Sequence, residues 1–321
     1  MDHVLRDLRV ALRSLVRHRS VSAVAILCMG LGIGVCVTLF SAVDPWLFRP
    51  LPYRAPDRLV GLRESLPAGG GEREPWDLLS GPDYLDWRAA CRSFAEMGGF
   101  ERTGFNLSTE EEPERVSAAR VTASLFPLLG TSPVLGRVFT DEEDGPAGKP
   151  VALLGHELWL RRFAGDPGIL GRTVKLDGTP HTIVGVMPPR FAFPEYAEVW
   201  TPLGLVPEAG RGERRVDAVA RLAPGATVAR AQAEASAVAA RLAREHPATN
   251  RGRGAAVKPL LEWLSPPGVA AALGLMLAAG LLVQLIACAN AANLLLAKAA
   301  AQRQETALRL ALGAGRIRLF R

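Results

Sequence analysis

The chain has 321 residues, 49% of them hydrophobic and 22% charged, averages that one or two soluble domains would also give. The apolar residues are not evenly spread, and two long uncharged runs exclude an ordinary soluble chain. The net charge of +6 excludes little by itself. No basic patch with interleaved aromatics marks the middle of the chain, which argues against a nucleic-acid partner.

Residues 1–19 hold five Arg and two Asp. Leu5, Leu8, Leu12 and Leu15 share one helical face, with Val16 beside it and Arg6, Arg9, Arg13 and Arg17 mostly elsewhere. This pattern predicts a cytoplasmic amphipathic helix in the inner headgroup layer of a bilayer, or alternatively a helix laid against a partner protein. Residues 20–43 follow as 24 residues without Asp, Glu, Lys or Arg. A bilayer core of about 30 Å needs roughly 20 helical residues, so a first transmembrane helix is predicted here. The run is too long for a cleaved signal peptide, and no A-x-A-like site precedes Asp44. Gly30 and Gly34 form G-x-x-x-G, small residues that let another helix approach. No strand precedes them, so they are not a nucleotide-binding loop.

Leu47 to Tyr53 suits an interfacial exit, and residues 44–263 are predicted to form an extracytoplasmic α+β domain. Strands are expected at Arg58–Arg63, Arg115–Val121, Val151–Leu154, Thr173–Leu176, Thr182–Val186 and Val216–Leu222. Helices are expected at Gly81–Cys91, Ala123–Leu129, His156–Phe163 and Thr227–His246, the last capped by Thr227 and ended by Pro247. Leu176-Asp177-Gly178-Thr179 predicts a hairpin turn, Gly69-Gly70-Gly71 a mobile loop and Glu110–Glu114 a solvated acidic turn. Cys28, Cys36 and Cys288 fall in the apolar runs, leaving Cys91 alone in the domain, which must therefore be held by its core and not by a disulfide.

Residues 264–297 form the second uncharged run, 34 residues long, predicted as a transmembrane helix. At about 1.5 Å per residue it exceeds the bilayer, so it is expected to extend outward after Pro266-Pro267 or to tilt strongly. Gln284, Asn290 and Asn293 lie in its inner half. Amides in hydrocarbon are costly unless bonded, so these three are expected to face further helices, from another chain or a second copy.

The cytoplasmic tail, residues 298–321, carries five Arg, one Lys and one Glu, whereas residues 44–263 hold 27 basic and 29 acidic residues. The excess positive charge thus flanks the two runs on their outer sides. By the positive-inside rule both termini are cytoplasmic, and anionic inner-leaflet lipid accounts for the arginines. In the tail Glu305 and Arg309 stand four apart in the favourable acid-first order, Leu308 and Leu312 share a face, and Gly313 with Gly315 can end the helix.

Motifs for chemistry are missing. No G-x-x-x-x-G-K-[S/T] phosphate loop and no G-x-S-x-G elbow occurs, and His156-Glu157 lacks the second histidine of a zinc-protease motif because position 160 is Leu160. No catalytic, cofactor-binding or metal-binding residue is predicted, and the chain is expected not to be an enzyme. Two rival readings remain: a two-span receptor whose outer domain binds a ligand or protein partner, and, less favoured, a membrane-anchored hydrolase. The short tail argues against the receptor.

DLRVALRSLVRHR, FRPLPYRAPDRLV, GPDYLDWR, ELWLRRFAGDPGILGRTVKLDGTPHTIVGVMPP, VWTPL, ARLAPGATVARAQAEASAVAARLAREHP and IACANAANLLLAKAAAQRQETALRLALGAGRIRLFR stand in this order along the chain. Together they resemble MacB/FtsX-like ABC transporter permeases, and within them the duplicated orphan permease group. The resemblance covers essentially the whole chain. It implies a MacB-like periplasmic core domain inserted between the first and second spans of a multi-pass permease of the bacterial inner membrane. It implies a separate or fused ABC ATPase as partner, so that ATP is bound there and no cofactor in this chain. It also implies that membrane movement is passed to the outer domain, which in the exporter proper drives a periplasmic partner. ETALRLALGA corresponds to the region that meets the ATPase, giving Glu305, Arg309, Leu312 and Gly313 as contact residues, the alternative being a stop-transfer flank. Such permeases have at least four spans, so further permease helices are expected from elsewhere.

Overall fold

In a computed structural model the chain divides into two units, Met1–Arg49 with Ser265–Arg321 and Pro50–Leu264. The structure describes residues 19–47, 51–66, 76–108, 112–264 and 268–311. The expected N-terminal amphipathic helix, the triglycine loop, Glu110 and Glu111 of the acidic turn, Pro266-Pro267, Leu312 and Gly313 lie outside these residues.

Pro50–Leu264 is built on one sheet of twelve strands. In chain order they are β1 (Leu59–Ser65), β2 (Trp76–Asp77), β3 (Leu79–Ser80), β4 (Phe94–Ser108), β5 (Glu114–Val121), β6 (Leu135–Gly136), β7 (Val151–Leu154), β8 (Thr173–Leu176), β9 (Thr179–Val186), β10 (Val199–Pro202), β11 (Arg214–Leu222) and β12 (Gly254–Pro259). The main path runs β12-β1-β11-β4-β5-β10-β7-β9-β6, with β2 on β1, β3 on β11 and β8 joining β4 to β9. Most pairs are antiparallel, but β10 runs parallel to β5 and β7 parallel to β9.

Alternation along the strands sends side chains to both faces. Val60 and Leu62 join one cluster while Leu59 joins another, and Ala218 and Ala220 part from Val219 in the same way. The first cluster is closed by the helices Gly81–Ala90 and Val228–Glu245, through Tyr84, Trp87, Ala231, Ala235 and Leu242. On the same face further along, Val116, Ala118, Ala152 and Ile183 pack under the helix His156–Phe163. The opposite face carries Phe100, Val121, Phe126 and Trp200. β4 reaches all three clusters, giving Met97 to the first, Phe100 to the opposite face and Phe105 and Leu107 to the third. Fifteen residues of continuous strand tie the domain into one body.

Local chemistry sets the boundaries. The Ser80 hydroxyl accepts from the Asp83 amide at 3.2 Å and starts the helix that Pro82 enters in its first turn. Thr227 does the same for Arg230 at 3.2 Å. Asp177 and Gly178 have φ of 47° and 82°, the left-handed pair that a two-residue hairpin between β8 and β9 demands.

Within the sheet domain the six expected strands and four expected helices are found, with ends shifted by a few residues. β2, β3, β4, β6, β10 and β12 were not expected. β4 carries Gly98, Gly99 and Gly104, which weaken a strand signal. A β-carbon on Gly98 would lie 3.0 Å from the backbone of Leu125, so glycine there is what lets the helix Leu125–Leu129 lie on the strand.

The other unit contains two long helices, Arg19–Leu47 and Val269–Ala311. Leu264, expected within the second span, instead ends a short helix, Leu260–Leu264, that belongs to the sheet domain. The last helix continues beyond the uncharged run as far as Ala311, since the residues after Ala297 keep strong helix formers.

Candidate functional site

The residues expected to act mechanically lie in the helix pair. Gly32 is buried, and a β-carbon there would meet Gln284 Oε1 at 2.5 Å and the Ala287 side chain at 3.3 Å. Gly280 lies against Leu39, whose Cδ1 would be 2.9 Å from its β-carbon, and the Cys36 thiol donates to the Gly280 carbonyl at 3.3 Å. Small residues on both helices thus make the close approach.

Gly30 and Gly34 do not make this contact. Both are exposed, and a β-carbon on either would meet nothing within 4 Å. The reason is angular: at about 100° per residue a glycine two positions away points to nearly the opposite side of a helix. Gly32, between them, was the relevant residue, and sequence spacing gave no way to choose between the two faces. Gln284 borders the pair, with Oε1 buried and lacking a hydrogen-bond partner. Asn290 and Asn293 are exposed. Glu305 and Arg309 lie in the last helix, while Leu312 and Gly313 fall outside the described residues.

Large apolar side chains point outward from both helices: Leu31 is 69% exposed, Leu275 75% and Leu285 65%. Water would make such a surface unfavourable. Ala271–Asn293, 23 residues, is long and apolar enough to cross a membrane, and within the described part of the first helix Met29–Ser41 is a shorter apolar stretch.

Within the sheet domain the chain's entry and exit meet. Leu51 and Tyr53 pack on the same cluster as Trp263 and Leu264. Tyr53 stands edge-on to Phe193 at 5.8 Å, Phe193 to Phe100 at 5.1 Å, and Phe100 to Trp263 at 6.0 Å. Burial pushes the Tyr53 hydroxyl pKa up to about 12. Arg63 lies over Trp263 at 4.5 Å. Gly61 has no side chain because the indole occupies that space: a β-carbon would lie 2.2 Å from it. β1 and β12 are hydrogen-bonded neighbours, with Val60 opposite Pro259, so the two connections leave side by side.

The remaining buried charges are fixed in pairs. Glu64 accepts from Arg214 at 2.9 Å and from Arg253 at 2.7 Å, and Asp83 binds Arg211 and the Asn250 amide, the latter at 3.0 Å. Asp217 bridges Arg63 and Arg102. Arg221, 4% exposed, donates to the carbonyls of Ala55 and Leu128 and so clamps the entry segment. Hydrophobic spacing could not reveal these ties, since each joins residues far apart in sequence. Among the described residues no three His, Cys, Asp or Glu gather as a metal site.

The sequence model of the MacB-like periplasmic core domain matches residues 22–238, more than half of the chain. The chain belongs to that family. Its α+β body is the MacB-like extracytoplasmic domain of an ABC transporter permease, carried by a membrane-anchored protein. Three solved structures resemble it. A domain assigned to a permease protein of Porphyromonas gingivalis aligns with TM-score 0.52 at 14% identity, over 65% of this chain and 92% of that one. The extracellular domain of the noncanonical ABC-type transporter YknZ from Gram-positive bacteria gives 0.47 at 14%, over 62% and 99%. The periplasmic region of MacB from Actinobacillus actinomycetemcomitans gives 0.48 at 15%, over 63% and 88%. Among curated proteins none matches. The first of these likenesses shows a fold shared with that permease domain.

Proposed function

We propose that the chain is a permease subunit, or the N-terminal part of one, that couples a partner ABC ATPase to movement of the MacB-like domain. The first and second uncharged runs each span the bacterial inner membrane, with both termini cytoplasmic and residues 44–263 outside, as the flanking arginines favour. ATP binds on the partner, which meets the segment from Glu305 to Gly313. Gly30, Gly34, Asn290 and Asn293, exposed on the pair, take further permease helices or a second copy.

The observation that carries this reading is the shared root. Entry and exit of the outer domain are tied to one aromatic cluster on adjacent strands, so displacement of either connection loads the same rigid sheet.

The test is affinity purification of the full chain from its own membranes, followed by identification of phosphate-loop ATPases bound in stoichiometric amount. Replacing Glu305 and Arg309 by Ala is expected to lower recovery of the ATPase. Undiminished recovery removes the contact assignment, and absence of any ATPase removes the coupling.

A further inference from the structure

The outer domain has a groove that the coupling reading does not use, about 320 Å³ in volume, beside the β8–β9 turn. Its apolar wall includes Phe105, Leu176 and Leu203, and its polar wall includes Arg120, Lys149 and His181. The charges on its lining are unevenly satisfied. Glu143 is held by both terminal nitrogens of Arg137, at 2.8 and 2.7 Å, and by the Thr140 amide at 2.9 Å. Those bonds hold its carboxyl below the usual range, so it stays ionised and already neutralised. Asp177 accepts from the Asn106 backbone and side-chain amides, both at 2.9 Å.

The cations have no such partners. Among the described residues neither Arg120 nor Lys149 makes an ion pair. Glu101 stands opposite Arg120 in the β4–β5 register, but its ion pair is with Arg215, at 3.7 Å. Arg120 is half-buried and lies over the Phe105 ring at 5.9 Å, so its planar donors are held in place against the wall. The His181 Nδ1–H donates to the Thr179 carbonyl at 2.9 Å, which orients the ring. Thr201, 4% exposed, adds a hydroxyl to the lining.

We propose that this groove binds a small amphiphilic anion, a phosphate-type group on a compact apolar body. Arg120 and Lys149 pair with the anion, and Phe105 and Leu176 cover the body. A preformed cleft with an apolar wall and a few convergent polar groups is the ordinary form of a small-ligand site. Arg120 supplies a fork matched to two oxyanion oxygens, and Lys149 a point charge from the exposed rim. The anion could be free in the extracytoplasmic space or the headgroup of a lipid, and the two sources share this chemistry.

The test is calorimetric titration of the full chain in a neutral detergent. The probes are phenyl phosphate, for a free ligand, and dihexanoylphosphatidylglycerol, for a headgroup. Saturable binding of at least one probe is expected, weakened by added salt. It should weaken on the order of tenfold in Arg120→Gln with Lys149→Gln, the loss of about 1.4 kcal/mol. Lys149→Gln alone, at an exposed loop position, keeps the fold and should weaken binding less. Phenyl phosphate binding assigns a free ligand, and binding of the phospholipid alone assigns a headgroup. No binding of either probe, or equal binding by wild type and both variants, overturns the proposal while leaving the ATPase coupling untouched.

Discussion

Gly61 and Trp263 offer a direct probe of the root through which the outer domain is held. The indole fills the space a side chain at residue 61 would need, at 2.2 Å from a β-carbon, so Gly61→Ala must push the ring away. The displaced ring loses its edge-on contact with Phe100 and its place under Arg63. The first is worth about 0.5–1.5 kcal/mol and the second about 0.5–1. Gly61→Ala should therefore cost about 2 kcal/mol. For a domain of this size that lowers Tm by roughly 4–8 °C. Trp263→Ala removes the same contacts and some buried area, and should cost about 3 kcal/mol, the low end for a tryptophan because the ring is only partly buried. The decisive measurement is the double variant. With the ring gone, the new methyl meets empty space, so Gly61→Ala should cost nothing further, giving a coupling energy of about 2 kcal/mol. Thermal unfolding of the full chain in detergent, followed by circular dichroism, reads all four corners of the cycle. Equal cost of Gly61→Ala with and without the indole would refute the packing argument.

Three further outcomes are expected. Asp83→Ala leaves Arg211 and Arg214 facing an empty site at a position 0% exposed, and should cost about 3–5 kcal/mol by chemical denaturation, whereas Glu234→Gln at a surface pair should cost about 1 or less. Glu143, whose pKa is lowered first by its bonds to Arg137, stabilises the fold above the ordinary carboxylate range and loses that contribution as pH falls through its folded value. The Tm difference between wild type and Glu143→Gln should then be present at pH 7 and shrink toward pH 3, and a constant difference would contradict the assignment. In the helix pair, Gly32→Leu should abolish disulfide formation between Leu39→Cys and Gly280→Cys, while Gly30→Leu should leave it intact.

Where the chain's own order carries the signal, the sequence is informative. His156–Phe163 and Val151–Leu154 end where their apolar patterns end, and the Asp177-Gly178 turn follows from backbone chemistry alone. The glycines of β4 hid the longest strand, because their role is to admit neighbours such as Leu125 and Tyr84 and not to favour extension. In the helix pair, Gln284 stood out as an amide in an uncharged run, but Gly32 could not be separated from Gly30 and Gly34 as the contact residue until the second helix was in place. The root at Tyr53, Phe100, Phe193 and Trp263 left no trace in spacing, since its members come from four distant segments.

Sequence by itself determined the uncharged runs, the arginine-rich flanks and the family, because hydropathy, charge and local motifs are additive along the chain and need no partner to be expressed. Tertiary structure alone decided the strand order, the buried ion pairs, the aromatic root and the groove beside the β8–β9 turn. Each of those depends on which distant residues share a face, and that is fixed only when the sheet assembles and every buried charge and ring must find its neighbour at once.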